Sequence, residues 1–200
     1  RDDLVTGVQT CALPIFQVKI QDAVWIKRMA YKLFLSVGYK VADHILNKEP
    51  LPMGLKILNM MGYVFLFRSL KNYLGLARLR HVYTGGAPLG QEIFNMFMAL
   101  NVNIKQVYGM TEQTAGSIMH RTGDIRLDTV GKPIPGVEFK ISDSGELLSR
   151  GDTIFKGYYK NPEATEEALR DGWFHSGDAA IMENDGHIII IDRMSDVMKL

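Results

Sequence analysis

The sequence predicts an α/β chain: part of a parallel sheet with flanking helices, followed by a small antiparallel β-barrel-like subdomain. Three observations predict it. Apolar residues recur at helical spacing through the first third of the chain. A strand–loop–helix–strand series then follows between residues 79 and 108, the pattern of a parallel sheet with helices packed on it. Beyond residue 122 the texture turns to short strands broken by Gly, Pro, Asn and Asp, which is that of antiparallel hairpins.

The helical part begins with 18–47, where Ile20, Val24, Met29, Leu33, Phe34 and Val37 are spaced by threes and fours. Lys27, Arg28, Lys32 and Lys40 stand among them, so two readings stay open: a helix facing a protein core, or one lying on a membrane surface. Glu49-Pro50-Leu51-Pro52 ends it. A second helical region covers 55–73, with Gly75 just past its end.

Residues 79–83 read as a short strand running into Thr84-Gly85-Gly86-Ala87-Pro88. Residues 89–100 read as a helix with Ile93, Phe94, Phe97 and Leu100 on one face, and 102–108 as the next strand, ending in Gly109-Met110-Thr111-Glu112. In the later part 137–141, 146–149 and 154–159 read as strands. Asn161 caps a helix with Pro162 at its first position. Residues 179–183 and 187–191 pair as a hairpin across Asn184-Asp185-Gly186.

Composition is that of a globular chain: 46% hydrophobic and 22% charged, with net charge +1. This excludes disordered and collagen-like classes. The small net charge hides an asymmetry: 12 Lys/Arg against 4 Asp/Glu over 16–110, and 10 against 16 over 111–200. Two subdomains with different surfaces explain it, as does a basic flank that attracts anions. A single cysteine, Cys11, excludes a disulfide framework and suits a reducing compartment. No apolar run reaches the roughly 20 residues of a spanning helix. A cytoplasmic address follows, with peripheral attachment to the inner face of a membrane left open.

Three loops carry chemistry. Gly85 and Gly86 after a strand allow close approach of backbone to a flat ligand. The Gly-x-x-x-x-Gly-Lys-Ser/Thr spacing of a phosphate loop is absent from the sequence. In Tyr108-Gly109-Met110-Thr111-Glu112 a ring can stack on a base, a glycine gives close approach, a hydroxyl can bond a phosphate, and a carboxylate can hold Mg²⁺. Asp178 follows Gly177 at a strand and suits ribose hydroxyls, and Arg193 places a permanent cation near another strand end. His175 has no partner at metal-ligand spacing. No Ser-His-Asp order with a nucleophile elbow is present, which argues against a simple hydrolase.

Taken in order, Gly85-Gly86-Ala87-Pro88-Leu89, Tyr-Gly-Met-Thr-Glu at 108–112, Gly145-Glu146-Leu147 with Gly151, Gly-Tyr-Tyr-Lys-Asn-Pro-Glu-Ala-Thr at 157–165, Asp-Gly-Trp-Phe-His-Ser-Gly-Asp at 171–178 and Asp-Arg-Met-Ser-Asp at 192–196 resemble the adenylate-forming (AMP-binding) superfamily. Residues 29–76, with their Leu-Gly-Leu-x-Arg-Leu-Arg approach to the Gly-Gly loop, resemble its long-chain fatty acyl-CoA synthetases. The resemblance implies a two-step ligase using ATP, Mg²⁺ and CoA on a fatty acid, with no nucleic acid and no obligate protein partner. By position, Gly85, Gly86 and Ala87 line the adenine and acyl site, and Tyr108 packs on adenine beside Gly109. Thr111 contacts the α-phosphate and Glu112 the Mg²⁺, making these two the expected catalytic pair. Asp178 and Arg193 hold the ribose. A fatty acyl-AMP ligase, a carrier-loading adenylation domain and a non-catalytic nucleotide- or lipid-binding module share the motifs.

The resemblance also implies boundaries. Residues 1–15 resemble a translated sequencing adapter and are set aside. Residues 16–122 form a partial α/β subdomain, 123–193 the barrel-like subdomain, and 194–200 the start of a hinge to a C-terminal lid. Ser195 stands where the family hinge has Asp or Lys, with Asp196 one position later. The family's upstream phosphate loop and its lid lysine have no counterpart in the sequence, Lys199 lying beyond the hinge. The expectation is a fragment inactive alone.

Overall fold

A computed structural model describes residues 24–87 and 89–197, which fall into two compact units: 24–82 with 89–104, and 83–87 with 105–197. The adapter-like segment and Lys199 lie outside the described residues.

The first unit is helical. Helix α1 (Trp25–Leu46) is followed by α2 (Met53–Gly62), a π turn (Tyr63–Phe67), α3 (Arg68–Tyr73) and, after strand β1 (Val82–Thr84), α4 (Gln91–Ala99). The helix ends follow from local chemistry. Lys48, Gly75 and Asn101 adopt left-handed backbone just past α1, α3 and α4. In each case the next N–H turns back to a carbonyl in the last turn: Glu49 to His44, Leu76 to Lys71, and Val102 to Phe97.

The predicted helical face of α1 is only half right. Phe34 and Val37 are buried, joined by Gly38, Val41 and Ala42, but Val24, Met29 and Leu33 are exposed. Gly38 explains the choice of face, because a Cβ there would lie 2.2 Å from the Ala99 carbonyl oxygen, so α1 and α4 pack at backbone distance. The second predicted helix is broken by the π turn, in the aromatic run Tyr63-Val64-Phe65-Leu66-Phe67. That turn accompanies full burial of Phe67 in a core with Phe34, Leu100 and Val102, while Phe65 stacks on Phe34 with ring centroids 6.5 Å apart. Asn59 and Asn101 exchange amide hydrogen bonds of 3.2 and 3.1 Å, and Lys71 Nζ donates to the Asn101 carbonyl at 2.9 Å.

The second unit is built on two sheets. Strand β2 (Ile104–Tyr108), a 3₁₀ turn (Thr111–Gln113), β3 (Ile118–Met119) and β4 (Lys132–Pro133) follow in the chain, and one sheet runs β1-β2-β3-β4. The sheet is mixed rather than parallel throughout. Beyond β2 the pairings are antiparallel, Tyr108 opposite Ile118 and Ile118 opposite Pro133, because a tight turn rather than a crossover helix follows β2. The other sheet holds β5 (Val137–Ile141), β6 (Glu146–Gly151), β7 (Leu169–Arg170), β8 (Trp173–Met182) and β9 (Ile188–Arg193), ordered β5-β6-β8-β7 with β9 on β8. All these pairings are antiparallel.

No closed barrel forms among the described residues; β8 bonds β6 and β7 along one part of its length and β9 along another, and the path does not return to β5. The core here is Ile118, Val130, Leu147, Ala180 and Ile188.

Helix α5 (Pro162–Ala168) starts as read, with Asn161 Oδ1 accepting from the Ala164 N–H at 3.2 Å. The strand read at 154–159 does not exist. The segment is irregular because its donors go elsewhere: the Phe155 N–H to the Glu112 carbonyl and the Tyr158 N–H to Thr165 Oγ1. Residues 194–197, at the expected hinge, form one helical turn, α6 (Met194–Val197).

Candidate active site

All described residues nominated from sequence lie in the second unit. Strand β2 delivers Tyr108 at its last position, and β8 and β9 deliver Asp178 and Arg193 as a directly opposed pair. The Tyr108 hydroxyl donates to Asp178 Oδ2 at 2.5 Å across 70 positions of chain. Arg193 Nε stands 3.1 Å from Asp178 Oδ1, and Arg193 Nη1 donates to the Ser176 carbonyl at 3.3 Å. Asp178 is buried whereas the Arg193 side chain is 60% exposed, so the carboxylate is fixed at the edge of a surface reachable by a ligand. Burial, then the hydrogen bond to Asp178, raises the Tyr108 pKa above its ordinary value, keeping the phenol a donor.

Residues around Asp178 hold it in place. Ser176 Oγ donates to the Leu147 carbonyl at 2.7 Å and accepts from the Asp178 N–H at 3.1 Å. Glu146 takes the Gly177 N–H at 2.9 Å, and the ring of His175 lies 2.8 Å from its other oxygen. Ser176 and Glu146 stand inside the motifs with no role of their own in the sequence analysis, and His175 only as a residue without metal-ligand partners. For Ser176 the signal is the two-residue alternation along β8, which turns Phe174, Ser176 and Asp178 inward together.

The Gly-Gly loop lies beside the same strand end. A Cβ on Gly85 would sit 2.7 Å from the Val107 carbonyl oxygen, and Gly86 has φ +86°. Gly85 and Gly86 are exposed and Ala87 is half-buried. Gly109 is demanded by the protein's own backbone, since a Cβ there would come within 1.9 Å of the Ala115 carbonyl oxygen. The chain turns back here: Thr114 and Ala115 take left-handed conformations, and the Ala115 N–H returns to the Met110 carbonyl. Thr111 is exposed on that turn. Glu112 accepts from the Tyr158 hydroxyl at 2.8 Å, a contact with no counterpart in the sequence reading. The next residue, Gln113, is fully buried and donates to Ser149 Oγ at 2.9 Å.

A strand end thus supplies an aromatic hydroxyl bonded to a buried carboxylate, followed by an exposed hydroxyl and a half-buried carboxylate. No group of three or more His, Cys, Asp or Glu able to cage a metal occurs among the described residues.

Comparison with known proteins agrees with this architecture. The AMP-binding enzyme family matches residues 7–159, and the chain belongs to that family. It is 38% identical over 132 residues to the long-chain-fatty-acid–CoA ligase FadD15 of Mycobacterium bovis, covering 66% of this chain and 22% of that protein. It is 33% identical over 174 residues to the putative fatty-acid–CoA ligase fadD11 of Mycobacterium tuberculosis, covering 86% and 30%. Among solved structures it resembles O-succinylbenzoate coenzyme A synthetase (MenE) of Bacillus subtilis in complex with ATP and magnesium ion, with TM-score 0.55, 26% identity, and 58% of this chain and 27% of that one covered. The chain thus spans under a third of the length of these relatives.

Proposed function

We propose that this chain carries the adenosine- and metal-binding part of an ATP-dependent ligase that activates a long-chain fatty acid as acyl-AMP and transfers it to CoA. The observation that carries the reading is the Tyr108–Asp178–Arg193 constellation in a chain of the AMP-binding family. Asp178, buried and fixed by backbone bonds, is suited to accept from two ribose hydroxyls. The exchange frees the Tyr108 hydroxyl while its ring stays available to adenine. Arg193 balances the carboxylate and reaches out to the same sugar. Gly85, Gly86 and Ala87 line the adenine and acyl side, with Gly109 keeping the strand end close. Fatty-acid substrates are supported by the names of FadD15 and fadD11.

In the first step a fatty-acid carboxylate oxygen attacks the α-phosphorus, and the bond to the departing pyrophosphate breaks. In the second, the CoA thiolate attacks the acyl carbonyl and AMP leaves. Neither step asks much of an acid or base; both need the phosphate charge neutralised and the partners aligned. Thr111, exposed on its 3₁₀ turn, would offer its hydroxyl to the α-phosphate. Glu112 fits Mg²⁺, which typically takes one or two protein carboxylates and fills its shell with phosphate and water. When bound, the ion would supply charge neutralisation at the phosphates, with Glu112 as the carboxylate that would hold it and Thr111 as the hydroxyl that would orient the phosphate.

The test uses a chain of the relatives' full length carrying these residues. Glu112→Gln is expected to lower fatty-acid-dependent pyrophosphate exchange by about 100-fold or more, on the scale of losing a charge-stabilising group. Unchanged exchange in that variant would refute the metal role. Thioester formation that does not depend on CoA would reassign the acceptor.

A further inference from the structure

The segment 153–158, which overlaps the strand expected at 154–159 and is irregular, is fastened to the Thr-Glu turn at three points. Thr114 Oγ1 donates to the Thr153 carbonyl at 2.6 Å, the Phe155 N–H to the Glu112 carbonyl at 2.8 Å, and the Tyr158 hydroxyl to Glu112 Oε1 at 2.8 Å. The first two bonds dock the strap by its backbone, and the Phe155 ring adds edge-on contacts with Tyr158 and Phe174 at 4.8 and 5.7 Å. The Tyr158 hydroxyl is therefore not needed to seat the strap. What that hydroxyl does is fix the rotamer of the Glu112 carboxylate, which on an otherwise free side chain would be spread over several.

Tyr158 is itself held from behind. Its N–H donates to Thr165 Oγ1 at 2.9 Å, and that hydroxyl donates to the Asn161 carbonyl at 2.8 Å. Gly157 permits the approach: with φ +140°, a Cβ there would meet Thr165 at 2.5 Å. A side chain 40% exposed to solvent is thus anchored at its backbone while its hydroxyl is spent on one carboxylate oxygen. The hydrogen bond to Glu112 is also the main cause that raises the Tyr158 pKa above its ordinary value, so the hydroxyl stays protonated and donating. Among the described residues no other side chain bonds the Glu112 carboxylate.

We propose that Tyr158 is a positioning residue that aims the Glu112 carboxylate at the divalent cation arriving with the nucleotide, occupying one oxygen and leaving the other to the metal. This rests on the metal role given to Glu112 above. The arrangement follows the rule that the partners of a metal-ligating carboxylate orient it and tune its affinity.

The test compares Tyr158→Phe, Thr165→Val and Glu112→Gln with the parent in the full-length chain. Two affinities are measured: that of the Mn²⁺ complex of α,β-methylene-ATP, followed by electron paramagnetic resonance, and that of AMP without metal, by calorimetry. Tyr158→Phe keeps the ring contacts and is expected to weaken the Mn²⁺–nucleotide complex about 5-fold, the scale of one partly exposed hydrogen bond, with AMP affinity unchanged. In pyrophosphate exchange it should raise the KM for Mg²⁺ and spare kcat at saturating Mg²⁺. Thr165→Val, which keeps the Tyr158 hydroxyl but removes the Thr165 hydroxyl that anchors the Tyr158 backbone, should move the same way by less.

Parental Mn²⁺–nucleotide affinity in Tyr158→Phe, alongside a loss in Glu112→Gln, overturns the role of Tyr158 and leaves the metal site standing. Tighter metal binding in Tyr158→Phe overturns it too, because the phenol then competes with the ion. Equal losses for AMP and the metal complex mark a structural effect and likewise overturn it. Parental behaviour of Glu112→Gln removes the metal role of Glu112 and this inference with it.

Discussion

In the first unit large apolar side chains lie outside, and in the second polar ones lie inside. Trp25, Ile26, Met29, Leu33, Met53, Met60, Val64 and Phe65 are all exposed in the helical unit, and every buried side chain among its described residues is apolar. The β-rich unit buries Gln106, Gln113, Ser117, His120, Thr129, Ser149, Ser176, Asp178 and His187. Most of these polar groups are tolerated because they find hydrogen-bond partners in one another or in the backbone. The Gln106 N–H donates to His120 Nδ1 at 3.1 Å, so His120 carries its proton on Nε2, toward Thr129 Oγ1 at 3.2 Å. Thr129 Oγ1 reaches His187 Nδ1 at 2.9 Å, and His187 Nε2 lies 3.3 Å from Asp124, which pairs with Lys132 at 2.7 Å. A directional chain of this kind fixes side-chain positions, which is what holding Asp178 and Glu112 in place requires. The helical unit, held mainly by apolar packing, places no candidate catalytic group.

Substitutions can break this contrast, beginning with the largest effect. Phe67→Ala empties the centre of the helical core and should cost about 3–5 kcal/mol in urea unfolding; a loss as small as that of a surface residue would mean that this unit has no specific core.

Acid should act on the other unit. Burial, followed by the charge of His187, lowers the His120 pKa from 6.5 to about 4, against the opposing influence of Asp124. The unfolded chain therefore takes up a proton at His120 that the folded chain refuses. This part of the stability is complete above about pH 6.5 and falls with pH until about pH 4, by up to roughly 3 kcal/mol. Arg126, Lys132, Asp128 and Asp185 also lie in this neighbourhood and set the background slope. His120→Gln should flatten the extra slope between those pH values, whatever its effect on absolute stability; an unchanged slope assigns the titration to another group.

Ser149→Ala strands the buried Gln113 amide and should cost about 1–3 kcal/mol, the penalty for an unpaired buried donor. A cost near zero would show that water replaces the hydroxyl. Smallest of all, Leu33→Ala, one residue from buried Phe34, should shift the urea midpoint by an amount equivalent to no more than about 0.5 kcal/mol. A core-sized loss there would erase the difference between the two faces of α1.

Much of the fold was legible locally. Asn161-Pro162 announced a helix start, Asn184-Asp185-Gly186 a hairpin, and Gly75 a helix end, because caps and turns depend on the few residues that form them. The face of α1 was not legible, since its apolar residues cover more than one side and only the close approach at Gly38 selects among them. Residues 154–159 were misread for a related reason. Their aromatic and apolar pattern suits a strand, but the Phe155 and Tyr158 donors are claimed by groups at Glu112 and Thr165. Of the candidate site, Tyr108, Glu112, Asp178 and Arg193 were nominated by motif; Ser176 had only the alternation along β8 to mark it, and Tyr158 and Glu146 had no signal beyond membership of a motif.

The sequence alone determined the residue types of the candidate site and the strand and turn termini that present them, because motif chemistry and backbone capping are short-range. Tertiary structure decided which of those residues meet. Tyr108 meets Asp178 across 70 positions and Glu112 meets Tyr158 across 46. Those distances along the chain are closed by strand register and by a strap whose hydrogen bonds no local pattern encodes.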